Sequence, residues 1–361
     1  IIQSAKRNIN PSYATHFLDY KGMVTTEYME NYIENTTQVS LIKDPLMGIN
    51  FLHFSIAPKK ISIDYYEPND QYFCNYNLTV SLRVEKRIIF QYTRNFPIYI
   101  PPEDTNKIRG NGLAFEGSLP VIAGKYKLII LLQNSVGKEF GIYEREITIP
   151  EDSDSPRILS PVVGYKLQSY RQDLHIPFKI LNEKLVIDPK NNFSASEDIS
   201  FIFILSNLSQ RLWETGKVKV AIKGLKPENP ALKSFDLRLN RFSFRKIMSV
   251  SDSISGGELP PDYYLMTLSL LDEKGVTIDE TTGNFIISTQ QAIAHPITHS
   301  KAFPLSKSYM YFYMMAHQYE KVKEFENAEA SYEKAYGIDP DYKEGLIEYA
   351  HFLFKINKNE K

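Results

Sequence analysis

The sequence predicts a mainly β protein with a helical end: two tandem β-sandwiches followed by a short helical hairpin. Three observations predict it. Apolar and polar residues alternate with a period of two in repeated short runs between Val39 and Ile149. The same pattern returns 138 residues further on. From Phe312, apolar residues recur instead at i, i+3, i+4 and i+7, which is one face of a helix.

Bulk properties set the frame. The chain has 361 residues, room for two or three domains. Its 43% hydrophobic and 24% charged content is ordinary for a globular protein. A net charge of −1 with both signs mixed supplies no field for nucleic acid or an anionic membrane. The one cysteine, Cys74, excludes an intrachain disulfide framework and is expected as a buried, inert thiol. The chain starts at Ile1 and stops within a second helical repeat, so a piece of a longer protein is expected.

The elements follow in order. Residues 1–38 are expected as the tail of an upstream domain, with a short helix over 25–33. Residues 39–150 form the first sandwich. Leu52, Phe54 and Ile56 alternate, as do Ile61, Ile63 and Tyr65. A longer run places Cys74, Tyr76, Leu78, Val80, Leu82 and Val84 on one side of a strand, with Asn75, Asn77, Thr79, Ser81 and Arg83 on the other. Such a strand has one buried and one wet face, the mark of an antiparallel sheet. Ile88–Tyr92 and Phe96–Ile100 read as two short strands, and Arg109-Gly-Asn-Gly112 as a turn. Tyr126, Leu128, Ile130 and Leu132 alternate, and the chain returns through Tyr143, Arg145, Ile147 and Ile149. Short strands with Gly/Pro punctuation predict an immunoglobulin-like sandwich.

Adding 138 maps Tyr126, Leu128, Ile130 and Leu132 onto Tyr264, Met266, Leu268 and Leu270, and Ile147 and Ile149 onto Phe285 and Ile287. It also carries Ile61, Ile63 and Tyr65 onto Ile199, Phe201 and Phe203, and Val80, Leu82 and Val84 onto Val218, Val220 and Ile222. Parity matters here, because a one-residue slip turns every buried side chain outward. The second sandwich therefore spans 174–290. Acidic, Pro-bounded 151–173 and Pro-bracketed 291–306 read as linkers. Helical residues fill 307–361, with Ser306 as a candidate cap.

Within that end, an aromatic at 312, an aliphatic at 315, small residues at 316 and 328, aromatics at 319 and 332, Ala335 and Pro340 fall on one 34-residue frame starting at Tyr309. This pattern resembles a tetratricopeptide repeat. Leu346, Tyr349, Ala350 and Leu353 begin a second one. The resemblance implies a protein- or peptide-docking groove lined by Met310, Tyr313, His317 and Glu320. An alternative is that Met310 and Tyr313 pack on the second sandwich. The order of modules, with Leu119-Pro-Val-Ile-Ala-Gly-Lys-Tyr-Lys-Leu128 and Val136-Gly-Lys-Glu-Phe140, also resembles the C-terminal part of bacterial GWxTD-domain proteins. The motif that names them is absent, since the lone Trp213 is followed by Glu-Thr-Gly. That resemblance implies a bacterial, periplasmic or secreted scaffold and no catalytic residue.

A search for chemistry returns little. There is no HExxH, no GxxxxGK[ST] loop and no GxSxG elbow. His295 and His299 are four apart, but Pro296 breaks the helix that a zinc pair would need. Asp152/Asp154 and Asp339/Asp341 lack the spacing of a calcium loop. Lys217, Lys219 and Lys223 read as a solvated sheet face. No metal, cofactor, nucleic acid or enzymatic activity is expected. The expected role is a non-enzymatic scaffold or adaptor, docking protein through its helices with the sandwiches as spacers. The alternative is a carbohydrate-binding or accessory region of an exported bacterial enzyme, which solvent-exposed aromatics on one sandwich face, coplanar and uncovered, would favour.

Overall fold

Eight strands build the first sandwich: β1 (Asn35–Lys43), β2 (Asn50–Pro58), β3 (Asp64–Tyr66), β4 (Gln71–Val84), β5 (Arg87–Ile100), β6 (Leu113–Val121), β7 (Gly124–Asn134) and β8 (Phe140–Ile149). The structure, a computed structural model, describes residues 31–225 and 231–356. The helix expected over 25–33 falls largely outside them; Tyr32 makes an isolated parallel bridge to Phe140.

One sheet runs β1-β2-β6, the other β5-β4-β7-β8, with β3 lying beside the start of β4. Their facing sides enclose Leu52, Phe54, Cys74, Tyr76, Leu78, Val80, Phe115, Leu128 and Ile130, as alternation dictates. Burial pushes the Cys74 thiol up to about 12, with Glu139 adding to it, so the thiol stays protonated. The two short strands expected over 88–100 are one, β5, whose register shifts beside Leu82/Arg83. Pro97 is tolerated because β5 is an edge strand. The expected turn at 109–112 closes a helix, α1 (Thr105–Asn111). Gly112, at φ 79°, takes a backbone conformation that favours glycine and donates its N–H to Ile108 O.

The second sandwich repeats the plan. Its first sheet uses β9 (Arg157–Ile158), β10 (Val162–Gly164), β16 (Asp198–Ser206) and β19 (Ile247–Ser255). Its second runs β15 (Asn192–Ser194), β21 (Thr277–Ser288), β20 (Asp262–Leu271), β17 (Lys217–Gly224) and β18 (Lys233–Arg238). Tyr126 OH donates to Ala123 O at 2.9 Å, and Tyr264 OH donates to Pro260 O at 2.5 Å. Both are tyrosine corners, which pin the turn entering a central strand of an immunoglobulin-like sandwich.

The 138-residue offset holds for β7/β20 and β8/β21, where Tyr126 faces Ile147 and Tyr264 faces Phe285. It does not hold upstream. Ile130 pairs with Val80 and Leu268 with Val220, so Val80 corresponds to Val220, two residues from the expected partner. Ile199, Phe201 and Phe203 lie in β16, the counterpart of β2 with Leu52, Phe54 and Ile56; Ile61 and Ile63 lie in the connection ahead of β4. Insertions of different length between strands break a constant offset, while the pleat preserves parity. Trp213 sits on a short helix, α2 (Gln210–Thr215), and its Nε1–H donates to Phe242 O at 2.8 Å.

The expected linkers are structured. Residues 166–186 fold into a small sheet of β11 (Lys166–Ser169), β14 (Glu183–Val186) and β13 (Lys179–Ile180). Phe178, Ile180, Leu185 and Ile187 wedge between Ile42 of the first sandwich and Ile202 and Ile204 of the second. The stretch 291–306 returns to the first sandwich. There β22 (Ile297–Ser300) adds to β6 in parallel, and β23 (Phe303–Pro304) pairs with β12 (Leu174–His175). The described residues after β23 form three α-helices, α3 (Tyr309–Val322), α4 (Phe325–Ile338) and α5 (Lys343–Lys355). Ser308, rather than Ser306, occupies the N-cap position of α3.

Candidate functional site

The helical end presents the candidate surface, and its placement decides what is free. Helix α3 is apolar on several sides, the pattern of a helix covered from more than one direction. One side meets α4: Ala316 and Ala328 are wholly buried and let the two axes approach. The other lies on the first sandwich. Met315, Tyr319 and Val322 pack against its core. Gln318, wholly buried, donates from Nε2 to Pro120 O at 2.8 Å and accepts from the Ile122 N–H at 3.3 Å. One amide thus satisfies two backbone groups at the end of β6 that the sheet leaves open.

Tyr311 extends this dock. Its ring lies 4.9 Å from Phe51 and 4.8 Å from Phe303, and its OH shares a 2.6 Å hydrogen bond with His175 Nδ1. Below it, His53 Nδ1 accepts from the Phe178 N–H at 2.9 Å. Glu116, with a fully buried side chain, pairs with Lys184 at 2.6 Å. Burial pushes the Glu116 carboxyl up, and Lys184 opposes that shift. A cavity of about 60 Å³ lies beside these groups, bordered also by Arg94 and Lys301.

The four residues expected to read a partner part company. Tyr313 is 5% exposed; its ring packs against Tyr332 and Tyr342, and Gly345 of α5 lies so close that a Cβ there would sit 2.1 Å from the ring. Met310 is half-buried in the same helical core. Neither packs on the second sandwich, since the helices lie on the first. His317 and Glu320 do line an open cleft between α3 and α5, with Lys321, Tyr332, Glu348, His351 and Lys355. His317 Nε2 meets Glu348 at 3.0 Å. Glu320 accepts from Tyr332 OH at 2.6 Å and from Lys355 at 3.1 Å.

Helix α5 covers α4 with one face only. Tyr349 stacks on Tyr332 at 5.3 Å, and Phe352 and Leu353 are buried. The opposite stripe, Ile347, Ala350 and Phe354, has the i, i+3, i+7 spacing of a packing face, yet Ile347 is 58% and Phe354 73% exposed. Sequence reasoning missed Tyr311, His175 and Gln318 as docking groups, because nothing local ties positions 120, 175 and 318 together. No group of three or more His, Cys, Asp or Glu able to hold a metal occurs among the described residues. No helix there is long and apolar enough to cross a membrane.

This arrangement defines a pair of immunoglobulin-like sandwiches joined by a wedge, with a helical module on the first of them. No family model matches the chain, and no curated protein matches it. Among solved structures it is similar to an alpha-2-macroglobulin of Escherichia coli, at 9% identity and a TM-score of 0.21, covering 72% of this chain and 22% of that one. It is similar to the interferon gamma receptor alpha chain of chicken, at 8% identity and a TM-score of 0.19, covering 70% and 98%. Fibronectin(III)-like modules of CbhA from Clostridium thermocellum give 9% identity and a TM-score of 0.18, covering 72% and 89%. The chain thus spans about a fifth of the length of the macroglobulin. At these scores the likenesses bear on neither activity nor partner.

Proposed function

We propose that this chain is a non-enzymatic interaction module that engages a protein partner through its helical end. The observation that carries the reading is the bare stripe of α5. Large apolar side chains at helical spacing, left in water, mark a surface that something covers. The occupant is an apolar helix face of the partner. Helix α4 packs on α3 and α5 on α4, and the stripe presents a further seam of this kind on the outer face of α5. Such a contact is the helix-on-helix mode of recognition, read at i, i+3 and i+7. The neighbouring cleft at His317 and Glu320, with its Glu320–Lys355 ion pair, supplies polar selectivity at the rim. The tetratricopeptide-like spacing of 309–342 supports the same reading.

Crosslinking in a native extract tests it, comparing the intact chain with a double variant, Ile347→Asp and Phe354→Asp. Both residues are exposed, so the fold should melt unchanged while the crosslinked partners are lost. An unchanged set of partners would end the proposal.

A further inference from the structure

A second surface lies on the first sandwich, away from the helices. Strand β4 places Phe73 directly across from Tyr99 of β5, and β3 sets Asp64 across from Phe73 on its other side. Tyr66, two residues from Asp64, shares that face. The three rings form a triangle: Phe73 to Tyr99 4.9 Å, Tyr66 to Tyr99 6.3 Å and Tyr66 to Phe73 6.4 Å. Their planes are tilted by 39° to 62°, so they make a shallow concave seat rather than a flat shelf. Tyr66 is 43% and Tyr99 52% exposed. The seat is held firmly. Asp70 takes a left-handed conformation at φ 48°, and its carboxylate accepts from Tyr65 OH at 2.6 Å, which closes the connection between β3 and β4. Asp64, on the same strand face as Tyr66, is exposed beside the rings, and Glu67 and Asn69 of the following connection are exposed as well.

We propose that Tyr66, Phe73 and Tyr99 form a seat for a neutral glycan, with pyranose rings stacking on the aromatics and sugar hydroxyls donating to the rim carboxylates. Three partly exposed rings offer on the order of 300 Å² of apolar surface. That suits two or three sugar residues and falls well short of the roughly 800 Å² per partner of an ordinary protein interface. A sugar presents C–H groups on its faces and hydroxyls around its edge, which matches rings surrounded by carboxylates. Those carboxylates repel phosphate, so the seat is not one for nucleic acid or an anionic lipid surface.

Affinity electrophoresis of the full chain tests this in native gels containing hydroxyethylcellulose, glycol chitin or soluble starch. Retarded migration is expected in at least one gel. Tyr66→Ala and Tyr99→Ala should each weaken that binding roughly tenfold, the scale of one lost stacking contact. Tyr99→Phe, which keeps the ring, should bind as the unaltered chain does, and it guards against misfolding of the alanine variants. Migration unaltered in all three gels, or alanine variants retarded as strongly as the parent, would overturn the proposal.

Discussion

At the residue scale, two histidines respond to pH with opposite sign. Burial, with Lys179 adding to it, lowers His175 to about 4. An unfolded histidine titrates near 6.5, so the folded state holds fewer protons. The stability that comes with the neutral ring is complete above pH ~6.5 and is lost as pH falls toward 4. At His295, burial also works against the charge, but hydrogen bonds to Asp188 at 2.9 Å and Glu197 at 2.7 Å outweigh it, and the net shift is upward. That contribution is complete below pH ~6.5 and disappears as pH rises through the folded value. Tyr165 stacks on the same ring at 3.8 Å, and the His295 carbonyl accepts from Asn111 at 3.0 Å, so the ring fastens the return segment to the second sandwich and the backbone ties it to the first. The melting temperatures of the parent and His295→Gln should therefore differ most near pH 6 and converge by pH 9. A gap independent of pH would contradict the doubly paired cation. Tyr311→Phe leaves His175 Nδ1 without its partner, and denaturant titration should show a loss of about 1–3 kcal/mol. None of these pairings was legible in the sequence. His175 and Tyr311 are 136 residues apart, and His295 read as part of an incidental linker pair with His299. His299 instead stacks on Phe115 at 6.0 Å.

At the element scale, strands and helices were legible where one face is buried. Tyr126 to Leu132 and Tyr264 to Leu270 point their alternate side chains into the two cores. Ala316 and Ala328 mark the close approach of α3 and α4, and Ala316→Trp should overpack it by at least about 1–3 kcal/mol. Circular dichroism should show lost helix and a lower melting point, and an unchanged spectrum would refute the assigned contact. Reading failed where the local signal was ambiguous. Ile61, Ile63 and Tyr65 alternate like a strand but lie mostly in a connection, because period two in a short window does not ensure a partner strand. Arg109 to Gly112 carries turn residues because it ends a helix, and the glycine N–H satisfies the Ile108 carbonyl. On α5 the bare stripe falls at Ile347, Ala350 and Phe354, whereas the repeat frame points Leu353 and Tyr349 inward. Of the expected docking set, His317 and Glu320 reach the cleft, and Tyr313 is lost to it beneath Gly345.

At the scale of the whole molecule, the chain leaves the first sandwich, builds the second and comes back. The spacers-then-helices order of the sequence is therefore not the order in space. Removing residues 289–361 takes away β22, Gln318 and the Tyr311–Phe51 contact, all of which serve the first sandwich, while the second sandwich loses the His295 pairs with Asp188 and Glu197. The shortened chain should melt at least about 5 °C lower, with proteolysis opening first at β6 rather than in the second sandwich. Equal melting would mean that the dock contributes nothing. The sequence by itself determined the class of each module, since hydrophobic period reports which face of a strand or helix meets a core. It also determined the pairing parity of both sandwiches. Only the tertiary structure decided that the linkers are a wedge and a returning strand, that the helices sit on the first sandwich, and which aromatics remain in water. Those outcomes depend on contacts between residues more than a hundred positions apart, and no local pattern records them.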